Sequence, residues 1–246
     1  MELRYRATVE YDGTDFLGFQ VQARGRTIQG ELEKAIERVT QKQVRILGAG
    51  RTDAGVHASG QVIAFDVSWR HTTPELQRAL NAVLPVDIAI RDLTTTYFTF
   101  HPRFDAIRRR YRYTILNQPV RSPLGMRYAH HVPEPLDVEA MREASRQFIG
   151  CHDYAAFGKP TQGESTLREV MQAEWFAEGT LLTFEITANA FLYQMVRNIV
   201  GTLVRVGRGE LAPGEVTALL EAGERATVGP PAPARGLCLM GVEYAD

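Results

Sequence analysis

Along the 246 residues the same succession is met twice: a run alternating with period two, a helical run, two more strand-like runs, then a further helix and strand. Residues 3–11 (LRYRATVEY) alternate, and a turn-rich segment at 12–26 with Gly13, Gly18 and Gly25 leads to a helix capped by Thr27 and running to about Thr40. Residues 43–50 and 61–67 read as strands joined by the glycine-punctuated loop GRTDAGVHASG. Thr73-Pro74 opens a helix that ends near Leu84, and 86–95 reads as a strand. The second pass begins at about residue 105, with a strand at 108–117, a helix at 137–149 and a hairpin of 166–177 with 180–188 turning at Glu178-Gly179. An amphipathic helix at about 190–207, a short one at 214–222 and a strand at 237–244 complete it. The order β-α-β-β-α-β is the ferredoxin-like arrangement. The expected class is therefore α+β: two ferredoxin-like halves, residues 1–104 and 105–246, joined through a mixed, mainly antiparallel central sheet with a cleft between them.

Composition narrows the functional classes. With 44% hydrophobic and 23% charged residues, the chain reads as a soluble globular protein that can bury a sizeable core. No apolar stretch approaches the roughly 20 residues a bilayer crossing needs, and the alternating start does not resemble a signal peptide, so a cytoplasmic location is expected. Cys151 and Cys238 show no CxxC spacing, and no HExxH, EF-hand or Walker A pattern is present. Neither a metal nor an organic cofactor is expected. A net charge of −1 excludes a uniformly positive coat, but nucleic-acid binding needs only a local basic surface. Arg103, Arg108, Arg109, Arg110 and Arg112 stand against the single acid Asp105, and Arg121, Arg127, His130 and His131 follow.

Three segments carry candidate chemistry. In GAGRTDAGVHASG, Gly48, Gly50 and Gly55 give the backbone freedom around Arg51, Thr52 and Asp53. A dinucleotide fingerprint fails there, because its third glycine falls on Asp53 and no helix signal follows. His57 and Ser59 raise a hydrolase reading, which lacks a GxSxG elbow. The loop alone leaves open that Arg51 and Asp53 only pair across a turn. In the strand Arg109-Arg110-Tyr111-Arg112-Tyr113, alternation sends the tyrosines to one face and Arg110 and Arg112 to the other. Core packing with solvated arginines is one reading, and a base stacked on Tyr111 with arginines reaching phosphates is the other. In NAFLYQMVRNIVGTLVRVGRG, Phe191, Met195, Ile199, Thr202 and Val206 repeat at helical spacing and face the core. Arg197 lies among these apolar residues and needs an anionic partner, for which Asp53 is a candidate.

Together YDGTDFLGFQVQ, GAGRTDAGVHASGQV, RRRYRYTILN, FLYQMVRNIVGTL and PARGLCL resemble the signature blocks of the tRNA pseudouridine synthase A family, in the same order and over nearly the whole chain. The resemblance implies the pseudouridine synthase fold, no cofactor, a homodimer, and action on uridines 38, 39 and 40 of the tRNA anticodon stem-loop. It implies that Asp53 is the catalytic aspartate, that Tyr111 contacts the target base, and that Arg51 and Arg197 lie near the carboxylate. An ionised carboxylate beside the ribose can attack C1′, stabilise positive charge there, or remove the C2′ proton. Gln194 stands where histidine is common in the family, and Phe19 where tryptophan is common. The rival expectation is a non-catalytic RNA-binding protein.

Overall fold

Alternation in LRYRATVEY sends Tyr5, Ala7, Val9 and Tyr11 to one side, and all four are buried in the first strand of the computed structural model, which describes residues 1–161, 163–223 and 228–245. In chain order the elements are β1 (Leu3–Tyr11), α1 (Ile28–Thr40), β2 (Leu47–Gly48), β3 (His57–Val67), α2 (Thr73–Val83), β4 (Ile88–Thr96) and β5 (Ala106–Asn117). There follow β6 (His130–Val132), α3 (Val138–Arg146), β7 (Gly150–Asp153), β8 (Leu167–Glu178), β9 (Leu181–Ala188), α4 (Met195–Gly207), α5 (Glu215–Ala222) and β10 (Leu237–Tyr244). The class is α+β. Two compact units result: Met1–Ile107 with Leu239–Asp246, and Arg108–Cys238.

In the first unit β1 lies between β3 and β4, antiparallel to both, and β2 pairs with the far side of β3, which is the ferredoxin-like strand order. Tyr5 faces Phe65 across the ladder with their rings stacked at 5.6 Å. The last strand, counted with the second half on sequence order, belongs mainly here. β10 follows β3 so closely that a Cβ at Gly60 would stand 2.3 Å from Met240 O, and Tyr244 packs on Phe100 while donating its hydroxyl to Pro102 O at 2.8 Å. Helix α1 begins where expected, with Thr27 Oγ1 accepting from Gly30 N–H, and buries Ile28, Leu32 and Ile36.

Two boundaries move for identifiable reasons. The strand expected over 43–50 shrinks to two residues, because Ile46 N–H donates to the Glu33 carboxylate of α1 at 3.1 Å instead of entering a ladder. Helix α2 is capped one residue earlier than the Thr73-Pro74 reading implies. Glu75 accepts from both the N–H and the hydroxyl of Thr72, at 2.8 and 2.7 Å, and these bonds hold its carboxyl below the ordinary range.

The second unit repeats the expected order β5, α3, β8, β9, α4, with the sheet running β5-β9-β8-β7 antiparallel. β6 adds a short parallel partner to β5; at three residues it is too brief to show a period. Helix α4 starts at Met195, five residues later than periodicity indicates, since Tyr193 bridges to Lys159 and Gln194 turns left-handed at φ 62°. Met195, Ile199, Thr202 and Val206 are buried as read, whereas Phe191 precedes the helix and is half-buried.

His130 on β6 meets Tyr113 edge-on, and its Nδ1 is buried with no hydrogen-bond partner among the described residues. Burial first, and then the nearby charges of Arg235, Arg208 and His131, push its pKa from 6.5 down to about 4, against a weaker opposite pull from Glu134. The folded ring stays neutral while the unfolded chain protonates, so this contribution is intact above about pH 6.5 and is lost as pH falls towards 4. A His130→Phe variant should lose less stability than the parent between pH 7 and 4.5, read as urea midpoints; parallel losses would refute the assignment.

Candidate active site

Along the extended segment before β3 the side chains alternate: Arg51 is exposed, Thr52 is buried and Asp53 is half-buried. Thr52 thus anchors the segment inward between two more accessible side chains. Asp53 then opens a tight turn in which its carbonyl accepts from Val56 N–H at 3.1 Å, and Gly55 supplies the positive φ of 78° at the third position, as a type II turn requires. A buried Gln61 braces the other side, donating from Nε2 to Gly50 O at 3.0 Å and accepting from Val62 N–H at 3.1 Å.

The segment after β1 wraps this turn at backbone contact. A Cβ at Gly13 would lie 2.0 Å from Val56 O, and one at Gly18, itself at φ +96°, would lie 2.8 Å from Thr52 O. Phe19 N–H donates to Thr52 O at 3.0 Å, and Tyr11 Oη meets Thr52 Oγ1 at 2.8 Å in the interior. The segment is pinned in turn by Arg26, whose guanidinium forks onto Asp87 at 2.6 and 2.8 Å and covers the Phe16 ring.

His57 and Ser59 are turned to different neighbours. His57 Nδ1 accepts from Gly13 N–H at 3.1 Å, with Asp12 Oδ1 3.2 Å away, and Ser59 Oγ donates to Met240 Sδ at 3.7 Å. That geometry gives a hydrolase triad no support. Elsewhere in the same unit Arg103 is half-buried, and burial first, then the positive charge of Arg51, pushes its guanidinium below the ordinary value. Two cations that disfavour one another make a field suited to an anion.

In the second unit β5 shows the period-two division directly. Tyr113 opposes Phe184 on β9 and is fully buried, and Tyr111 opposes Ile186 and meets Phe191 edge-on at 5.0 Å. Tyr111 therefore combines a packed edge with partial exposure. On the other face Arg112 is held by Glu185 directly opposite, at 2.9 and 2.5 Å, and Arg110 is exposed, while Arg109, on the tyrosine face by the same alternation, donates to Asn189 O at 2.7 Å. In α4 the half-buried Arg197 donates from Nε to Ala232 O at 2.7 Å, and Ala232 N–H returns a bond to Arg197 O. A backbone carbonyl that no sequence pattern announces thus orients this guanidinium. The segment that carries Ala232 runs so close to α4 that a Cβ at Gly201 would stand 2.5 Å from Pro230 O.

A family model described as tRNA pseudouridine synthase matches residues 7–105 and 144–245, which takes in the Asp53 turn and the Arg197 helix. The chain belongs to that family. The tRNA pseudouridine synthase A of Moorella thermoacetica is 45% identical over 244 residues, covering 97% of this chain and 98% of the relative. That of Roseiflexus castenholzii is 46% identical over 243 residues (97% and 89%), and that of Chloroflexus aurantiacus 47% over 240 (95% and 86%). Among solved structures, a chain from an H/ACA RNP bound to a substrate RNA containing 2'-deoxyuridine aligns over 81% of this chain and 44% of its own, at 12% identity and a TM-score of 0.39. That likeness is too slight to bear on the fold. Membership makes the chain an isomerase acting on uridine in tRNA.

The two departures from the family blocks have distinct settings. Phe19 lays its ring against Gly48, where a Cβ would stand 2.6 Å from Cε1, while its backbone N–H holds Thr52 irrespective of the ring. Gln194 caps α4 in the left-handed region, which histidine and asparagine enter more readily than most residues. What sequence reasoning passed over is the support of the Asp53 turn: Tyr11, Gln61 and the close approaches of Gly13 and Gly18. Only the glycines left a trace, as turn signals.

Proposed function

We propose that the chain converts uridine to pseudouridine at positions 38, 39 and 40 of the tRNA anticodon stem-loop, acting as a cytoplasmic homodimer with Asp53 as the reacting carboxylate. The observation that carries this reading is the half-buried Asp53 at the head of a turn braced on every side by backbone contacts, within the family's GRTDAG block. Asp53 in its charged form attacks C1′ or removes the C2′ proton as the glycosidic bond to N1 breaks. The detached base then turns and C5 bonds to C1′ as the bond from C1′ to Asp53 breaks, or as Asp53 returns its proton to C2′; the C5 proton leaves, and N1 ends protonated. No electron is gained or lost overall, so the chemistry asks for no redox cofactor.

Arg51 and Arg197 serve the charge of this carboxylate, and Tyr111 stacks on the extruded base, offsetting part of the few kcal/mol that unstacking costs. Arg109 and Arg110 reach phosphates, and Arg112 contributes through the positive edge it retains while held by Glu185. A dimer suits a substrate whose phosphates extend beyond one subunit. Unmodified tRNA incubated with the purified protein and EDTA should gain pseudouridine at 38, 39 and 40, mapped base by base. Modification confined to another arm would overturn the assignment of the stem-loop, and no modification would favour a binding protein.

A further inference from the structure

We infer that Thr52 and Tyr11 form a buried hydroxyl pair whose task is to aim Asp53, making both positioning residues for the isomerisation. The inference rests on Asp53 being the reacting carboxylate. Thr52 is 7% exposed and Tyr11 3%, and their oxygens lie 2.8 Å apart although 41 residues separate them in sequence. A valine and a phenylalanine would fill the same space without burying two polar oxygens, and removing both partners of such a bond is nearly neutral for stability. The bond therefore adds direction more than cohesion. Because Thr52 is the buried residue between the exposed Arg51 and the half-buried Asp53, the hold on its side chain fixes the backbone from which Asp53 is presented.

Other ties act on the backbone: Phe19 N–H on Thr52 O at 3.0 Å, Val56 N–H on Asp53 O at 3.1 Å, and the close approach of Gly18. They fix the depth of the segment, and the hydroxyl pair, reaching in from the end of β1, holds the Thr52 side chain and so resists a roll of the segment about its own axis. A reacting group displaced by about 1 Å loses on the order of a hundredfold in rate.

The test compares T52V, T52S, Y11F and the T52V/Y11F double variant with the parent on unmodified tRNA, measuring kcat, KM, tRNA affinity and thermal unfolding. T52V and Y11F should lower kcat by about tenfold to a hundredfold with KM and tRNA affinity within about threefold. T52S, which keeps the hydroxyl, should recover most of kcat, and the double variant should be no slower than T52V alone, since the two oxygens act as one unit. Parental kcat in T52V, or a T52S as slow as T52V, would overturn the inference. Y11F removes a single oxygen and keeps the ring, so it decides the matter if T52V does not fold. D53N run in parallel separates the two levels: a turning-over D53N removes the reading of Asp53 itself, whereas an inert D53N beside an unimpaired T52V and Y11F removes only the positioning role.

Discussion

Asp53→Asn should lower single-turnover formation of pseudouridine by about three orders of magnitude or more, while tRNA affinity stays within a few fold and the melting temperature within a few degrees. The amide has almost the volume of the carboxylate, and the turn around it is built from backbone: Val56 N–H to Asp53 O, Phe19 N–H to Thr52 O, and the contacts at Gly13 and Gly18. None of these needs the Asp53 side chain. On the chemistry proposed for Asp53, the substitution removes the oxygen that attacks C1′ or takes the C2′ proton, and a neutral amide performs neither step. Release of tritium from uridine labelled at C5 gives the rate directly. A variant within tenfold of the parent would take the reaction away from this residue.

The largest structural effect is expected at Gly13. Its Cβ would stand 2.0 Å from Val56 O and 2.6 Å from the carbonyl carbon, both backbone atoms of the turn that Asp53 opens, so no side chain can swing aside to make room. Gly13→Ala should cost about 3 kcal/mol, the upper part of the overpacking range, and lower the melting temperature by about 6–12 °C. Activity should fall with it, because the wrapping segment and the turn that carries Asp53 are pushed apart. Gly50→Ala is the control, since a Cβ there meets nothing within 4 Å; it should leave stability within about 0.5 kcal/mol. Equal losses at the two positions would show that the close approach at Gly13 is not what the glycine is for.

The legible parts of this molecule were those written in short-range pattern. Thr27 capped its helix as read, and the division of Tyr113 from Arg112 followed from period two alone. The family was legible from the motif blocks, whereas the roles of Asp53, Arg51, Tyr111 and Arg197 within them stay proposals. What escaped was decided by partners far off in sequence or by a side chain intercepting the backbone. Glu33 of α1 captured the N–H of Ile46 and shortened a strand whose own residues favoured one. Tyr193 bridged to Lys159 and delayed α4, although the apolar period began earlier. Arg197 asked, on composition, for an anion; that its Nε–H would be turned by Ala232 O could not be read from spacing. The bond of Tyr11 to Thr52 left no signal at all, since a tyrosine ending a strand and a threonine in a loop are each ordinary.

The return of β10 to the first unit shapes how the chain matures during synthesis. Ser59 and Met240, in contact across that sheet, are 181 positions apart, and Arg108–Cys238 must be translated between them. The second unit is continuous and has nearly all its strands as soon as it leaves the ribosome. The unit bearing Asp53 instead waits, with the flank of β3 beyond its short pairing to β2 uncovered, until β10 has followed the whole of the second unit, the slow, non-local kind of closure. The unit whose synthesis begins first is thus the later of the two to be closed.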